Sequence, residues 1–250
     1  MMSNSKVVVF DVYKTLLDIE SDEKRLRTYN FLATWLSYKN LYIKPKDLRR
    51  LYKEITRQAL LTNRELYPDI DIKSVFKRIL LSLAQTEDHG DFEQDAVEMG
   101  LLFRILTTKS LTIYPETVPV LETLHRHNEV RLAVLSNTQR LFTLPEFKRF
   151  DIEKYFDYML FSSDVGACKP APKIFETLLS DLKIHPHDVI YVGDNLFDDV
   201  FGAQSVGMKT VWLNRQDGKA FPGELEKPIP DQQIQEISSE RLVEAIIALV

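Results

Sequence analysis

Five short apolar runs, at 6–10, 131–135, 158–162, 189–192 and 210–213, punctuate the chain, and turn residues close each of them. Runs of this length, rich in Val, Ile and Leu and with little polar alternation, predict strands buried on both faces. Apolar residues at helical spacing fall between them over 117–126, 171–183 and 198–206, and Pro170 and Pro172 fix the start of the second helix. Such alternation predicts a doubly wound, Rossmann-like α/β core around a parallel sheet. The tail reads as an edge strand at 232–237 and a closing helix at 239–249, capped by Ser238 or Ser239.

The interval 19–111 breaks the alternation. It holds no convincing strand, but four amphipathic stretches at 23–36, 45–61, 72–83 and 92–106, with apolar faces such as Leu48, Leu51, Ile55 and Ala59. A helical insertion after the first strand predicts a second domain: an all-α helical cap at 18–111 on a core made of 1–17 and 112–250. A net charge of -5 excludes a sequence-independent nucleic-acid binder, which needs a basic face. A lone Cys168 excludes an intramolecular disulfide. The apolar run Val7–Phe10 is far too short for a signal or membrane segment. The expectation is a cytoplasmic monomer or homodimer that engages neither nucleic acid nor membrane.

Ligands of open parallel sheets gather at the C-terminal ends of the strands. Four stations stand there. Asp11-Val12-Tyr13-Lys14-Thr15-Leu16 follows the first strand, Ser136-Asn137 follows the second, Lys169-Pro170 precedes a helix, and Gly193-Asp194-Asn195 with Asp198 and Asp199 follows the fourth strand. In this order they resemble the four motifs of the haloacid dehalogenase-like (HAD) superfamily of aspartate-nucleophile hydrolases, and the resemblance covers nearly the whole chain. The insertion leaves from the place where one branch of that superfamily carries its helical cap.

The resemblance implies a Mg²⁺-dependent phosphatase that acts on a small phosphorylated molecule through an aspartyl-phosphate, splitting one difficult displacement into two. Asp11 would be the nucleophile. Asp11, Asp194 and the backbone carbonyl of Tyr13 would hold the metal that lets one anion approach another. Ser136 and Lys169 would bind and neutralise the phosphoryl oxygens, with Thr15 and Asn137 also facing substrate. Asp199, Asp198 and Asn195 would support the metal ligands. Asp198 also has a plainer reading as an acidic residue favouring a helix start.

Two positions depart from the pattern. Most HAD phosphatases carry a second aspartate two residues after the nucleophile as general acid and base, a group worth on the order of 10²–10⁴-fold; here Tyr13 stands there. Lys14 replaces the usual glycine, either in an extended conformation or as an added positive charge near the site. Tyrosine at that place is what the 2-haloacid dehalogenases of the superfamily carry, which makes dehalogenation the first alternative. Asp194 argues against it, because a second anion would repel a haloacid carboxylate. A catalytically weak binding protein on the same fold is the second alternative. The remaining candidates read as structural. His89 and the pairs His125/His127 and His185/His187 belong to the surface, Phe31, Leu32 and Trp35 to the cap interior, and Arg25, Arg27, Arg49, Arg50 and Arg57 to a charged cap face.

Overall fold

The computed structural model describes residues 6–84, 92–215 and 221–250. The chain enters through β1 (Lys6–Phe10), turns sharply and leaves along β2 (Leu17–Ser21). Four helices follow, α1 (Leu26–Tyr38), α2 (Pro45–Thr62), α3 (Ile72–Leu83) and α4 (Glu93–Thr107), and β3 (Thr108–Ile113) brings the chain back beside β2. The rest runs α5 (Thr117–His125), β4 (Val130–Ser136), α6 (Arg140–Arg149), β5 (Tyr158–Phe161), α7 (Ser162–Val165) and α8 (Pro172–Leu182). It finishes with β6 (Val189–Gly193), α9 (Gly202–Ser205), β7 (Lys209–Leu213), β8 (Gln232–Ile234) and α10 (Ser239–Ile247).

The six core strands form one sheet in the order β5-β4-β1-β6-β7-β8, and every pairing is parallel. Side chains of β1 alternate between two layers. Val8 and Phe10 pack with Leu121 of α5 and Leu242 of α10, whereas Val7 and Val9 pack with Ile174 and Phe175 of α8. Burial on both faces is why the strand reads as an unbroken apolar run; each such side chain contributes ~1.5–3 kcal/mol. From β1 the chain builds outward first through β4 and β5, then returns to add β6, β7 and β8 on the other flank. The order therefore reverses at β1, and a crevice opens at the C-terminal ends of β1, β4 and β6.

Helices α1–α4 surround an apolar cluster of their own that includes Tyr29, Leu32, Leu36, Tyr52, Phe76 and Phe103. Pro45 starts α2, which buries Leu48, Tyr52 and Ile55 along one face. Asp71 caps α3 by accepting from the backbone N–H groups of Lys73 (3.1 Å) and Ser74 (3.3 Å). Trp35 packs at the margin of this cluster, but Phe31 does not belong to the interior: it is 45% exposed, with the Arg27 guanidinium 5.5 Å above its ring.

Three further expectations are corrected. The interval thought to lack strands is bounded by an antiparallel ribbon of β2 and β3, paired from Leu17↔Ile113 to Ser21↔Thr108. Its outward residues are polar, so no continuous apolar run announced it. The expected helix at 198–206 instead begins as a π-helical turn at Leu196–Phe201 and continues as α9. At the tail β8 is shorter than expected, and Ser238 caps α10 by accepting from the Arg241 N–H. His89 lies outside the described residues. Among those described, no helix is long and apolar enough to cross a membrane.

Candidate active site

β1, β4 and β6 deliver Asp11, Ser136 and Asp194 to the same end of the sheet, and the segment before α8 adds Lys169. These four line one cavity of about 310 Å³, together with Tyr13, Lys14, Asn137, Asn195, Asp198 and Asp199. Of the residues expected to face substrate, Thr15 is not among those lining the cavity. Its hydroxyl is buried without a hydrogen-bond partner among the described residues.

Lys169 is the centre of the arrangement and is 3% exposed. Its ammonium donates to Asp11 Oδ1 (2.7 Å), Asp199 Oδ1 (2.5 Å) and the Tyr191 hydroxyl (2.7 Å), with the Leu135 carbonyl, which accepts from the Tyr191 hydroxyl, 3.3 Å away. Burial opposes its charge, but Asp11, Asp199 and Tyr191 outweigh that penalty and hold it well above the usual lysine range. Asn137 fixes the lysine's backbone: its Oδ1 accepts from the Lys169 N–H (2.7 Å) and its Nδ2 donates to the Lys169 carbonyl (3.1 Å). The amide expected to face substrate is thus engaged in positioning Lys169.

The motif after β6 folds around Asn195. Its side chain accepts from the N–H groups of Phe197 and Asp198, both at 2.9 Å, and its carbonyl accepts from those of Asp199 and Val200. This winds the π-helical turn and swings Asp199 back beneath the site, where its second oxygen accepts from the Asn195 N–H at 2.9 Å. Only glycine fits at 193, since a Cβ there would lie 2.4 Å from the Asp199 carboxyl carbon. The Trp212 indole donates to the Asp194 carbonyl at 2.8 Å, anchoring the neighbouring residue.

Oxygen atoms of Asp11, Asp194 and Asp199 all lie within 4.8 Å of one another. Burial, then the charges of Asp11 and Asp199, push the Asp194 carboxyl up to about 8; burial likewise raises Asp199, against the pull of Lys169. A carboxylate raised for these reasons takes either a proton or a cation. Three anionic oxygen donors suit a hard divalent ion, so this donor set fits Mg²⁺.

Tyr13, two residues after Asp11 where the family resemblance places an acid, is tied down on both sides. Its hydroxyl donates to Glu146 Oε2 (2.5 Å) and accepts from the Arg104 guanidinium (2.5 Å), which also pairs with Glu146 Oε1 (2.7 Å). Burial, partly offset by Arg104 and reinforced by Glu146, raises its pKa far beyond the usual phenol value. The trio joins α4 of the helical layer to α6 of the core through the loop after β1. Lys14 does not take the extended alternative; it sits at φ 67, the left-handed region favoured by glycine. Its N–H donates to the Leu17 carbonyl at 2.7 Å, and Arg215 grips the loop from outside, donating to the carbonyls of Lys14 (2.6 Å) and Thr15 (3.2 Å).

The model of the haloacid dehalogenase-like hydrolases matches residues 5–207. The chain belongs to that family. A glyceraldehyde 3-phosphate phosphatase of Pyrococcus furiosus is 42% identical over 65 residues, which are 26% of this chain and only 27% of that protein. The (S)-2-haloacid dehalogenase 4A of Burkholderia cepacia is 25% identical over 217 residues, 86% of each chain. The crystal structure of a 2-haloacid dehalogenase from Pseudomonas syringae pv. Tomato DC3000 superposes with a TM-score of 0.66 at 24% identity, covering 98% of this chain and 100% of that one. That likeness establishes the fold: a HAD-type Rossmann-like core with a helical cap. The chain is a HAD-like hydrolase.

Tyr191, Trp212, Glu146, Arg104 and Arg215 went unmarked in the sequence. Tyr191 and Trp212 lie inside apolar strand runs and read as core; the other three lie far in sequence from the motifs they hold.

Proposed function

We propose that this hydrolase is a Mg²⁺-dependent phosphatase that uses Asp11 as nucleophile on a small phosphorylated molecule. Residues 1–17 and 112–250 would form the catalytic core, and the insertion 18–111 the cap that excludes water from it. One cysteine in the chain suits a reducing compartment such as the cytoplasm. The observation that carries the reading is the convergence of Asp11, Asp194 and Asp199 within 4.8 Å. Such a cluster welcomes a cation and a phosphoryl group together, but repels the free carboxylate of a haloacid.

Mg²⁺ held by Asp11, Asp194 and the Tyr13 backbone carbonyl would supply charge neutralisation and polarise a phosphoryl oxygen. Asp11 attacks phosphorus, forming the aspartyl-phosphate as the bond to the leaving oxygen breaks. Lys169, charged throughout, keeps Asp11 oriented and balances negative charge, and Ser136 faces a second phosphoryl oxygen. Water then attacks phosphorus, releasing phosphate and regenerating the Asp11 carboxylate. Tyr13 supplies no proton to the leaving group, because its single hydrogen is donated to Glu146. Acyl and aryl phosphates, whose leaving groups depart without a proton, are therefore the preferred substrates.

The second reading is dehalogenation, favoured by Tyr13 and by the long match to the Burkholderia enzyme. Turnover across a phosphate panel with and without Mg²⁺, in the parent and in Tyr13→Asp, separates the two. Aryl or acyl phosphate hydrolysis by the parent, broadened to alkyl phosphates in Tyr13→Asp, supports the phosphatase. Chloride release from 2-chloropropionate with no phosphate hydrolysed by either protein establishes the dehalogenase.

A further inference from the structure

Lys14 is the anomaly in the cavity. It lines the same space as Asp11 and Asp194, and an L-residue at φ 67 forgoes stability that glycine would keep. The conformation is nevertheless firmly held. The Lys14 N–H is bonded to Leu17, its carbonyl is bonded to Arg215, and Arg215 is itself braced by Glu116 and stacked 3.5 Å over the Tyr114 ring. A non-glycine residue kept in a disfavoured conformation beside a reaction centre points to a use for its side chain.

The side chain carries a positive charge that the phosphoryl chemistry does not employ. Lys169 is fully buried and bonded to Asp11 and Asp199, so it serves the reacting end. The Lys14 ammonium pairs with Asp18 on β2, each side chain 42% exposed. An exposed pair of that kind is weak and exchanges readily for a better anion. Lys14 lines the cavity together with Asp11 and Asp194, and Asp18 on β2 is its ion-pair partner.

We propose that Lys14 is a second anion subsite, and that the substrate is a phosphate ester or anhydride whose leaving group bears its own anionic group, a carboxylate or a second phosphate. Asp18 is the internal stand-in that the substrate anion displaces. The proposal rests on the phosphatase reading and adds the chemical class of the leaving group to it.

The test is a ratio. For the three carboxyphenyl phosphates and their neutral carboxamides, kcat/KM for each acid is divided by that for its amide, which cancels general losses of fold or chemistry. In Lys14→Asn, which tolerates the left-handed conformation, the ratio for the best isomer falls about tenfold; in Lys14→Arg it is retained. In Asp18→Asn, which removes the competing carboxylate, it rises. Inorganic phosphate release at high salt should show the preference shrinking as charge is screened. Phosphatase activity with the same ratio in all four proteins overturns the second-anion subsite and leaves the phosphatase reading intact. Absence of hydrolysis of every ester by every protein overturns both.

Discussion

Replacing Asp194 by Asn should make the metal-free protein more stable at neutral pH while removing its response to Mg²⁺. Burial and the charges of Asp11 and Asp199 push the Asp194 carboxyl up to about 8, against an ordinary value of 3.8. Between those values the folded state holds a proton that the unfolded state has released, so stability falls as pH rises. The slope is up to about 1.4 kcal/mol per pH unit for one proton, and Asp199, raised by the same burial, adds to it at the acid end. From pH 5 to pH 7 the parent in EDTA therefore loses about 2–3 kcal/mol at Asp194, or roughly 5–10 °C in Tm for a chain of this size. An amide carries no such proton, so Asp194→Asn should lose most of this slope and lie above the parent at pH 7. Saturating Mg²⁺ should restore about 2–3 kcal/mol to the parent, the amount expected at ~100 Kd, and little to the variant. Denaturant titrations at several pH values, in EDTA and in Mg²⁺, measure all four quantities. Equal pH slopes for parent and variant, or equal stabilisation by Mg²⁺, would refute the carboxylate cluster as a cation site.

Three other substitutions probe its surroundings. Lys169→Met leaves Asp11 and Asp199 facing each other without their cation, and should cost about 3–5 kcal/mol at pH 7, with partial recovery in acid as the carboxylates protonate; pH-dependent unfolding reads this directly. Gly193→Ala drives a methyl into Asp199, costing about 1–3 kcal/mol in stability and a larger share of kcat as Lys169 loses its partner. Tyr13→Phe removes the hydroxyl shared by Glu146 and Arg104, costing about 1–2 kcal/mol in unfolding experiments. Its kcat should fall less than about tenfold; a loss on the order of 10²–10⁴ with the fold intact would show that the phenol is the acid after all.

The parallel core was legible because strands buried on both faces must be apolar throughout, and β1 matches its predicted span residue for residue. The four stations were legible because a parallel sheet brings its strand ends together, and Asp11, Ser136, Lys169 and Asp194 do line one cavity. The β2–β3 ribbon was not, since half of its residues face solvent and carry no apolar signal. Nor was the partnership of Tyr13 with Arg104 and Glu146, separated by 91 and 133 residues, for which no local spacing rule exists. The same holds for Asn137: its amide reads as a ligand group at a strand end, and only three-dimensional placement shows that it also clasps the backbone of Lys169 while lining the cavity. Lys14 illustrates a third kind of limit. Its residue type disfavours the left-handed conformation, and the loop imposes it through hydrogen bonds from Arg215, far along the chain.

The most direct measurement is chemical capture of the covalent intermediate. An aryl phosphate mixed with the protein and Mg²⁺, quenched in acid within one turnover and reduced with borohydride, converts an aspartyl-phosphate to homoserine, which peptide mass spectrometry locates. With Tyr13 unable to serve as base for the second step, the intermediate should accumulate, and homoserine should appear at position 11 and nowhere else. Rapid phosphate release with Asp11 unmodified at every quench time would contradict the assignment of Asp11 as nucleophile.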